Sequence, residues 1–281
     1  MKVAVITVVA HRSDHLQRQL EGIARSSRAP DEHVIVSMGD PEVPAVVIAG
    51  GSRAEVVMMD AGPGRLPVAA ARNLGADTAL SRGAELLVFL DVDCIPAPDL
   101  TARYESAATA EYSGALLCGP VTYLPPPEPG GYDLDRLDRS LAPHPARPCP
   151  PDGEIRDSTD HELFWSLSFA VSADTWRRIG GFCTDYCGYG GEDTDFGQQA
   201  AHAGVRLAWV GGAHAFHQHH PVSSPPVEHL DDILANAALF HHRWGWWPMQ
   251  GWLDEFQDMG LIAYDTATGR WVRIPSASSR S

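Results

Sequence analysis

The sequence predicts an α/β fold in which helices flank both faces of a mainly parallel sheet. Strand and helix signals alternate through the first third of the chain, and the strand signals are short, continuous apolar runs. Such runs mark strands buried on both faces. Charged residues follow several of them directly, at the strand carboxyl ends where open α/β sheets bind ligands.

Taken in order, Val3 to Val9 is a β-branched run that reads as the first buried strand. With Met1-Lys2 ahead of it the run resembles a short signal sequence, but His11-Arg12-Ser13-Asp14 offers no small-residue cleavage site. Asp14 to Ala24 sets Leu16, Leu20 and Ile23 on one helical face. His33 to Met38, Ala45 to Ile48 and Val56 to Met59 read as strands, and Val68 to Ser81 as a helix stopped by Gly83. Glu85 to Leu90 is another apolar strand and runs into Asp91. This β-α-β-β-α-β order places His11-Arg12, Asp40 and Asp91 at strand carboxyl ends.

From Leu124 to about Asp160 prolines and glycines cluster, in a segment too long for a simple connector. It is either a functional loop or a disordered insertion. Regular structure resumes with an apolar strand from Leu163 to Val171, a Ser172 cap, and a helix stopped by Gly180-Gly181. A further helix starts near Glu192, and Val205 to Val210 is the last sheet strand. The tail from His229 is helical in pattern and crowded by Trp244, Trp246, Trp247 and Trp252. Those indoles either pack the tail, the favoured reading, or wall a ligand site.

A chain of 281 residues with 44% hydrophobic content suits one large domain, or at most two small ones. The net charge of −15 argues against nucleic-acid binding, which selects basic surfaces. No apolar run reaches the length of a transmembrane segment. Five scattered cysteines do not form a disulfide framework and suit a reducing, cytoplasmic setting. Cys183 and Cys187 are spaced to join histidines at a metal, but no second cysteine pair supports them.

Three groups of residues carry chemistry. Asp91 and Asp93 flank Val92, so an extended backbone would put both carboxylates on one side, where they suit Mg2+ or Mn2+. The competing reading is a turn at a strand end. Glu192-Asp193-Thr194-Asp195 follows Gly188-Tyr189-Gly190-Gly191. Acids in a first helical turn are favoured by the helix dipole, but dipole compensation does not explain the glycines, which let backbone approach a ligand. His214, His217, His219 and His220 follow a strand, and spacing alone does not single out which would ligate Mn2+. No His-Glu-x-x-His spacing supports a zinc hydrolase.

Together these segments resemble family 2 of the nucleotide-sugar glycosyltransferases, in particular the branch related to β-1,4-galactosyltransferases. Phe89-Leu90-Asp91-Val92-Asp93 with Pro96 is similar to the metal motif, and Arg72-Asn73-Leu74-Gly75 to a donor-side turn. Ser168 to Ser172, Gly180-Gly181-Phe182 and Tyr189 to Asp195 are similar to the acceptor and catalytic segment in order and spacing. Two positions depart: Tyr189 stands where the branch has Trp, and Val8-Val9-Ala10 follows Thr7 without the usual proline.

The resemblance implies a GT-A fold, a Rossmann-like, mainly parallel mixed sheet flanked by helices. It further implies a nucleotide-diphosphate-sugar donor, usually a UDP-sugar, a hydroxyl acceptor, and Mn2+ or Mg2+. Carried over, Asp193 is the general base and Glu192 positions the acceptor. Asp93 ligates the metal with His217, or His219 in its place, and Asp91 contacts the donor sugar or ribose. Thr7, His11, Arg12 and Asp40 surround the nucleoside, and Arg72 and Asn73 lie near the donor. The expected catalytic domain spans 1–228, with a nucleotide-sugar half (1–123), a Pro-rich loop (124–160) and an acceptor half (161–228). Residues 229–281 form a helical extension packed on it. Transfer with inversion is expected, with 124–160 or 211–225 closing as a lid. The rivals are a retaining transferase on the same fold and a non-catalytic nucleotide-sugar-binding module.

Overall fold

The computed structural model describes residues 1–62, 64–221 and 223–275, except the side chain of Ala110. Its elements run β1 (Val3–Val9), α1 (Ser13–Ala24), β2 (Glu32–Met38), α2 (Val43–Ala49), β3 (Glu55–Met59), α3 (Val68–Ser81) and β4 (Leu86–Leu90). Then come β5 (Cys94–Pro96), α4 (Leu100–Ala107), β6 (Leu116–Cys118), β7 (Val121–Tyr123), β8 (Ile155–Ser158), β9 (Ser168–Ser172), α5 (Ala173–Ile179) and α6 (Glu192–His202). The chain continues through β10 (Leu207–Val210), β11 (Ala215–His217), α7 (Leu230–Trp244), α8 (Gln250–Asp258), β12 (Ile262–Asp265) and β13 (Arg270–Arg273).

Eight strands form the main sheet in the order β3-β2-β1-β4-β9-β6-β10-β8. The first four are mutually parallel, and β9 runs antiparallel between β4 and β6. Beyond them β10 is parallel to β6, and β8 closes the edge antiparallel. A small sheet, β5-β11-β7, sits beyond the end of β4. The fold class read from the sequence is the one observed.

All seven β1 residues and all five β4 residues are buried, as their continuous apolar runs require. Alternate β1 residues serve opposite faces: Ala4, Ile6 and Val8 face one core, Val3 and Val5 the other. The first core holds the apolar faces of α3, α5 and α6 and a nest of aromatic rings. Within it Phe89 and Phe169 stack at 4.5 Å, and Phe182 and Phe196 at 4.3 Å. Gly75 lets α3 close on β1, since a Cβ there would stand 2.5 Å from Ile6 Cγ2.

Several local expectations fail for physical reasons. Residues 45–48 belong to the helix α2: Pro44 lies in its first turn, and Val43 and Val47, one turn apart, are buried while Ile48 is exposed. The strand expected over 163–171 begins only at Ser168, because Phe164 reaches the aromatic core from a loop. Arg72-Asn73-Leu74-Gly75 is not a turn but the middle of α3. The three- and four-residue strands β5, β7, β8 and β11 were too short to show a period.

The Pro-rich segment is fastened to the body at several points. The buried guanidinium of Arg147 lies between the rings of Trp165 and Trp209, at 5.1 and 4.7 Å. Leu124 and Leu137 join Ile95 and Phe216 in one apolar cluster. The tail is helical through α8 but ends in the unforeseen hairpin β12–β13. Trp247, Trp252 and Trp271 pack there around Leu253 and Phe256, which is the packing reading of the indoles. The last six residues of the expected extension, and Val222 of the expected 211–225 lid, lie outside the described residues.

Candidate functional site

Four segments converge beyond the carboxyl end of β4. The backbone there does not stay extended: Cys94 N–H donates to Asp91 O at 2.8 Å, closing a turn over Asp91–Cys94. Gln19, fully buried on α1, holds that turn by donating from Nε2 to Asp91 O (2.7 Å) and Cys94 O (3.0 Å). The two aspartates therefore face different partners.

Asp91 faces Arg72. The guanidinium, 4% exposed, donates from Nη2 to Asp91 Oδ1 at 2.9 Å and from Nη1 to Glu192 Oε1 at 3.0 Å. Burial pushes the Asp91 carboxyl above its ordinary range, against the pull of Arg72, and the Asp93 and Glu192 charges add to the push.

Asp93 faces the histidines. Its Oδ2 lies 3.4 Å from His217 Nε2 and 3.5 Å from His220 Nε2. Burial alone would raise this carboxyl, but the two imidazoles hold it well below the usual carboxylate range. The small sheet places them: β11 pairs with β5 directly after the turn, and Gln218 N–H donates to Asp93 O at 2.7 Å. The metal-site expectation named His217 with His219 as its substitute. The structure groups Asp93, His217 and His220, with their ligand atoms within 4.8 Å of one another, and leaves His219 out. An i, i+3 spacing across a bend brings the rings together, which alternation along an extended strand does not foresee.

Glu192 and Asp193 open α6, as expected. Gly188, Gly190 and Gly191 all have φ between 79° and 92°, which turns the chain sharply into the helix. Asp193 Oδ1 accepts from Thr194 N at 2.7 Å. Burial, and then the neighbouring Glu192 charge, push the Asp193 carboxyl up to about 7. Asp195 is fully buried and accepts from Tyr186, Gln199, Arg243 and Trp244.

Two clefts adjoin this centre. One, of about 680 Å³, is lined by His11, Arg12, His15, Asp40, His219 and His220 among others. The other, of about 850 Å³, is lined by Tyr123, Leu167, Tyr189, His217, His220 and Glu228 among others. His220 lines both.

Of the residues expected around the nucleoside, His11, Arg12 and Asp40 line the first cleft. Asp40 also accepts His11 N at 2.9 Å and Glu42 N at 3.0 Å, joining two loops. Thr7 does not reach the cleft. It is fully buried, and its hydroxyl donates to Gln19 Oε1 at 2.8 Å. Nor does Asn73 face the donor side: its amide exchanges two 2.8 Å hydrogen bonds with the backbone of Phe182. Both are short polar groups on buried faces, where a partner inside the protein is obligatory. His220 stood among the four histidines that spacing left open, whereas Gln19 and Asn236 were overlooked. Only Gln19 left a trace, as an amide beside Leu16, Leu20 and Ile23 on an apolar face.

Residues 158–221 match the family model described as the N-terminal domain of galactosyltransferase. Two validoxylamine A glucosyltransferases, from Streptomyces hygroscopicus subsp. limoneus and from strain 5008 of subsp. jinggangensis, are each 26% identical over 225 residues, 73% of this chain. The chain spans about half the length of these curated relatives, 49% and 52%. Among solved structures it superposes on GalNAc-T7 with UDP, GalNAc and Mn2+ (TM-score 0.58, 14% identity, 78% of this chain and 44% of that one). It also superposes on S. aureus TarS 1-349 in complex with UDP-GlcNAc (TM-score 0.55, 14% identity, 85% of this chain and 66% of that one). The sheet order, the matched segment and these superpositions agree with the resemblance read from the sequence: the chain has the GT-A fold of the glycosyltransferases.

Proposed function

We propose that the chain is a divalent-metal-dependent glycosyltransferase that moves a sugar from a UDP-sugar to an acceptor hydroxyl with inversion. The observation that carries this reading is the place of the Asp93–His217–His220 cluster. It stands where the two clefts meet, with His220 lining both and His217 the second. The first cleft sets Arg12 and four imidazoles beside the carboxylates Asp14, Asp40 and Glu42, so a nucleoside diphosphate there would rely on a bound cation to offset its charge. The second, walled by Tyr123, Leu167 and Tyr189, suits the face of an acceptor.

The donor set fits Mn2+ better than Mg2+, which favours oxygen ligands. One carboxylate and two imidazoles converge, and Asp93 Oδ1 is buried without a hydrogen-bond partner. A metal bound there would neutralise charge on the departing diphosphate. The related GalNAc-T7 and TarS structures, solved with UDP, GalNAc and Mn2+ and with UDP-GlcNAc, support the choice of donor class.

Asp193 is the base that takes the acceptor proton as the new bond forms. A carboxyl raised to about 7 is matched to that work at neutral pH. Arg72 bonds both Glu192 and Asp91, which supports a role for Glu192 beside the base and for Asp91 toward the donor. Tyr189 presents its ring at the mouth of the second cleft, backed at 4.4 Å by the stacked ring of His229.

The test is turnover of UDP-glucose, UDP-galactose and UDP-GlcNAc with and without Mn2+, with the product anomer assigned by NMR. Inverted product, lost on removing the metal and in Asp193→Asn, is the expected result. Retained configuration, or undiminished turnover by Asp193→Asn, would overturn the assignment of the base.

A further inference from the structure

The loop that delivers Glu192 and Asp193 is shaped from outside the matched segment. One side chain on α7, Asn236, shares the two hydrogens of its Nδ2 among three carbonyls of the loop: Gly190 O at 2.8 Å, Cys187 O at 3.1 Å and Tyr189 O at 3.2 Å. Asn236 itself is 3% exposed, so its amide is committed to these partners inside the protein. Asp232, one turn earlier on α7, accepts Tyr189 N at 3.2 Å and pairs with Arg65 at 2.6 Å.

The glycines fit this clamp closely. A Cβ on Gly188 would collide with the Asp232 carboxylate, and one on Gly190 would stand 2.9 Å from Met249 Sδ. Gly191, the last residue before α6, packs beside Asn236 Cβ and the Tyr186 ring. The loop thus has its carbonyls gathered on one amide while its positive-φ residues press against α7 and the turn after it.

We propose that Asn236 is a positioning residue for the proposed transfer reaction. It holds the 187–191 loop so that Asp193 and Glu192 meet the acceptor, and it touches neither donor nor acceptor itself. This rests on the reading of Asp193 as the base. It makes α7 a working part of the site and not an appended helix.

The test uses the full chain, with Asn236→Ala beside Phe240→Leu. Phe240 is fully buried one turn further along α7 and packs on Trp244 and Trp246. Amide hydrogen exchange is read over 187–193, UDP affinity with Mn2+ by calorimetry, and kcat with the UDP-sugars named above. Asn236→Ala is expected to speed exchange over 187–193 at least tenfold and lower kcat at least tenfold, with UDP affinity within about threefold of wild type. Phe240→Leu, at a matched loss of melting temperature, is expected to leave exchange in that loop and kcat within about threefold.

A second readout separates positioning from plain stability. Asp193 is faced by Glu192 on its own helix, Arg72 on α3, Asp91 after β4, and Tyr189 in the loop. A loosened loop admits water to the carboxyl, so the rising limb of kcat against pH moves to lower pH in Asn236→Ala and stays put in Phe240→Leu. Equal exchange and equal kcat in the two variants would overturn the proposal. If the wild-type chain turns over none of the UDP-sugars, the transferase reading fails, and exchange over 187–193 still decides whether Asn236 holds the loop.

Discussion

Arg72 reaches Glu192 at 3.0 Å across 120 residues of sequence, and its other nitrogen holds Asp91 at 2.9 Å. A single buried cation from the middle of α3 thereby joins the two acidic motifs that the sequence presents separately. Removing it leaves two facing carboxylates in the interior. Arg72→Leu is expected to lose about 3–5 kcal/mol of stability in urea denaturation. Arg72 also draws the Asp193 carboxyl downward, so the same variant should move the rising limb of kcat to higher pH.

Asp193 makes a prediction of its own, with a sign opposite to that of a paired carboxylate. Its carboxyl sits near 7 in the folded chain against an ordinary 3.8. Between those values the folded state binds the proton that the unfolded state has released. Stability from this group is therefore greatest below the unfolded value and declines as pH rises toward 7. Asp193→Asn should melt higher than wild type at pH 8, with the gap closing at pH 4, while transfer is abolished. Scanning calorimetry at the two pH values checks it, and equal gaps would show that Asp193 is hydrated in the folded chain.

The contrast between β1 and α2 shows what could be read from the chain alone. Buried parallel strands declare themselves, because every residue from Val3 to Val9 must be apolar or internally bonded. The run Val43–Ala49 carries the same β-branched residues, and only the burial of Val43 and Val47 on one side reveals a helix. The acids at the end of β4 and the start of α6 were legible because strand ends and glycine-led helix starts are local signals. The partners that give those acids their roles are tertiary. Arg72 to Glu192, Asn236 to Gly190 and His220 to Asp93 each span dozens of residues or a bend, and no period or cap encodes them. Thr7 and Asn73 were placed at the ligand by the family resemblance alone, and their partners inside the protein, Gln19 and the Phe182 backbone, are tertiary in the same way.

The Asp93–His217–His220 group leads to a metal prediction. With Mn2+ at a hundredfold excess over its Kd, the wild-type chain should gain about 2.7 kcal/mol of stability by mass action. His217→Ala and His220→Ala should lose that gain, and His219→Ala should keep it. Burial pulls the His217 imidazole down, but its hydrogen bond to Asp93 prevails and holds it above its ordinary value. Protons therefore compete with the metal, and the Mn2+-induced shift should shrink as pH falls through that raised value. A thermal-shift titration at several pH values measures both, and an undiminished shift in His220→Ala would remove that residue from the site.

Two residues beyond Asp193, the same substitution should act in the opposite direction. Asp195 is fully buried, and both its oxygens are surrounded by donors. Oδ1 accepts Arg243 Nε at 2.7 Å, Trp244 Nε1 at 2.6 Å and Tyr186 Oη at 3.1 Å, and Oδ2 accepts Gln199 Nε2 at 2.9 Å. In either orientation an asparagine there turns its N–H toward an N–H of Arg243, which can only donate, and leaves Arg243 without its counter-charge. Asp195→Asn is expected to cost about 3–5 kcal/mol in urea denaturation. Because Arg243 and Trp244 end α7, the loss should appear as early exchange of α7 amides together with those of α6. Asp195→Asn within about 1 kcal/mol of wild type would mean that the aromatic and apolar contacts of α7, without this carboxylate, suffice to hold it on α6.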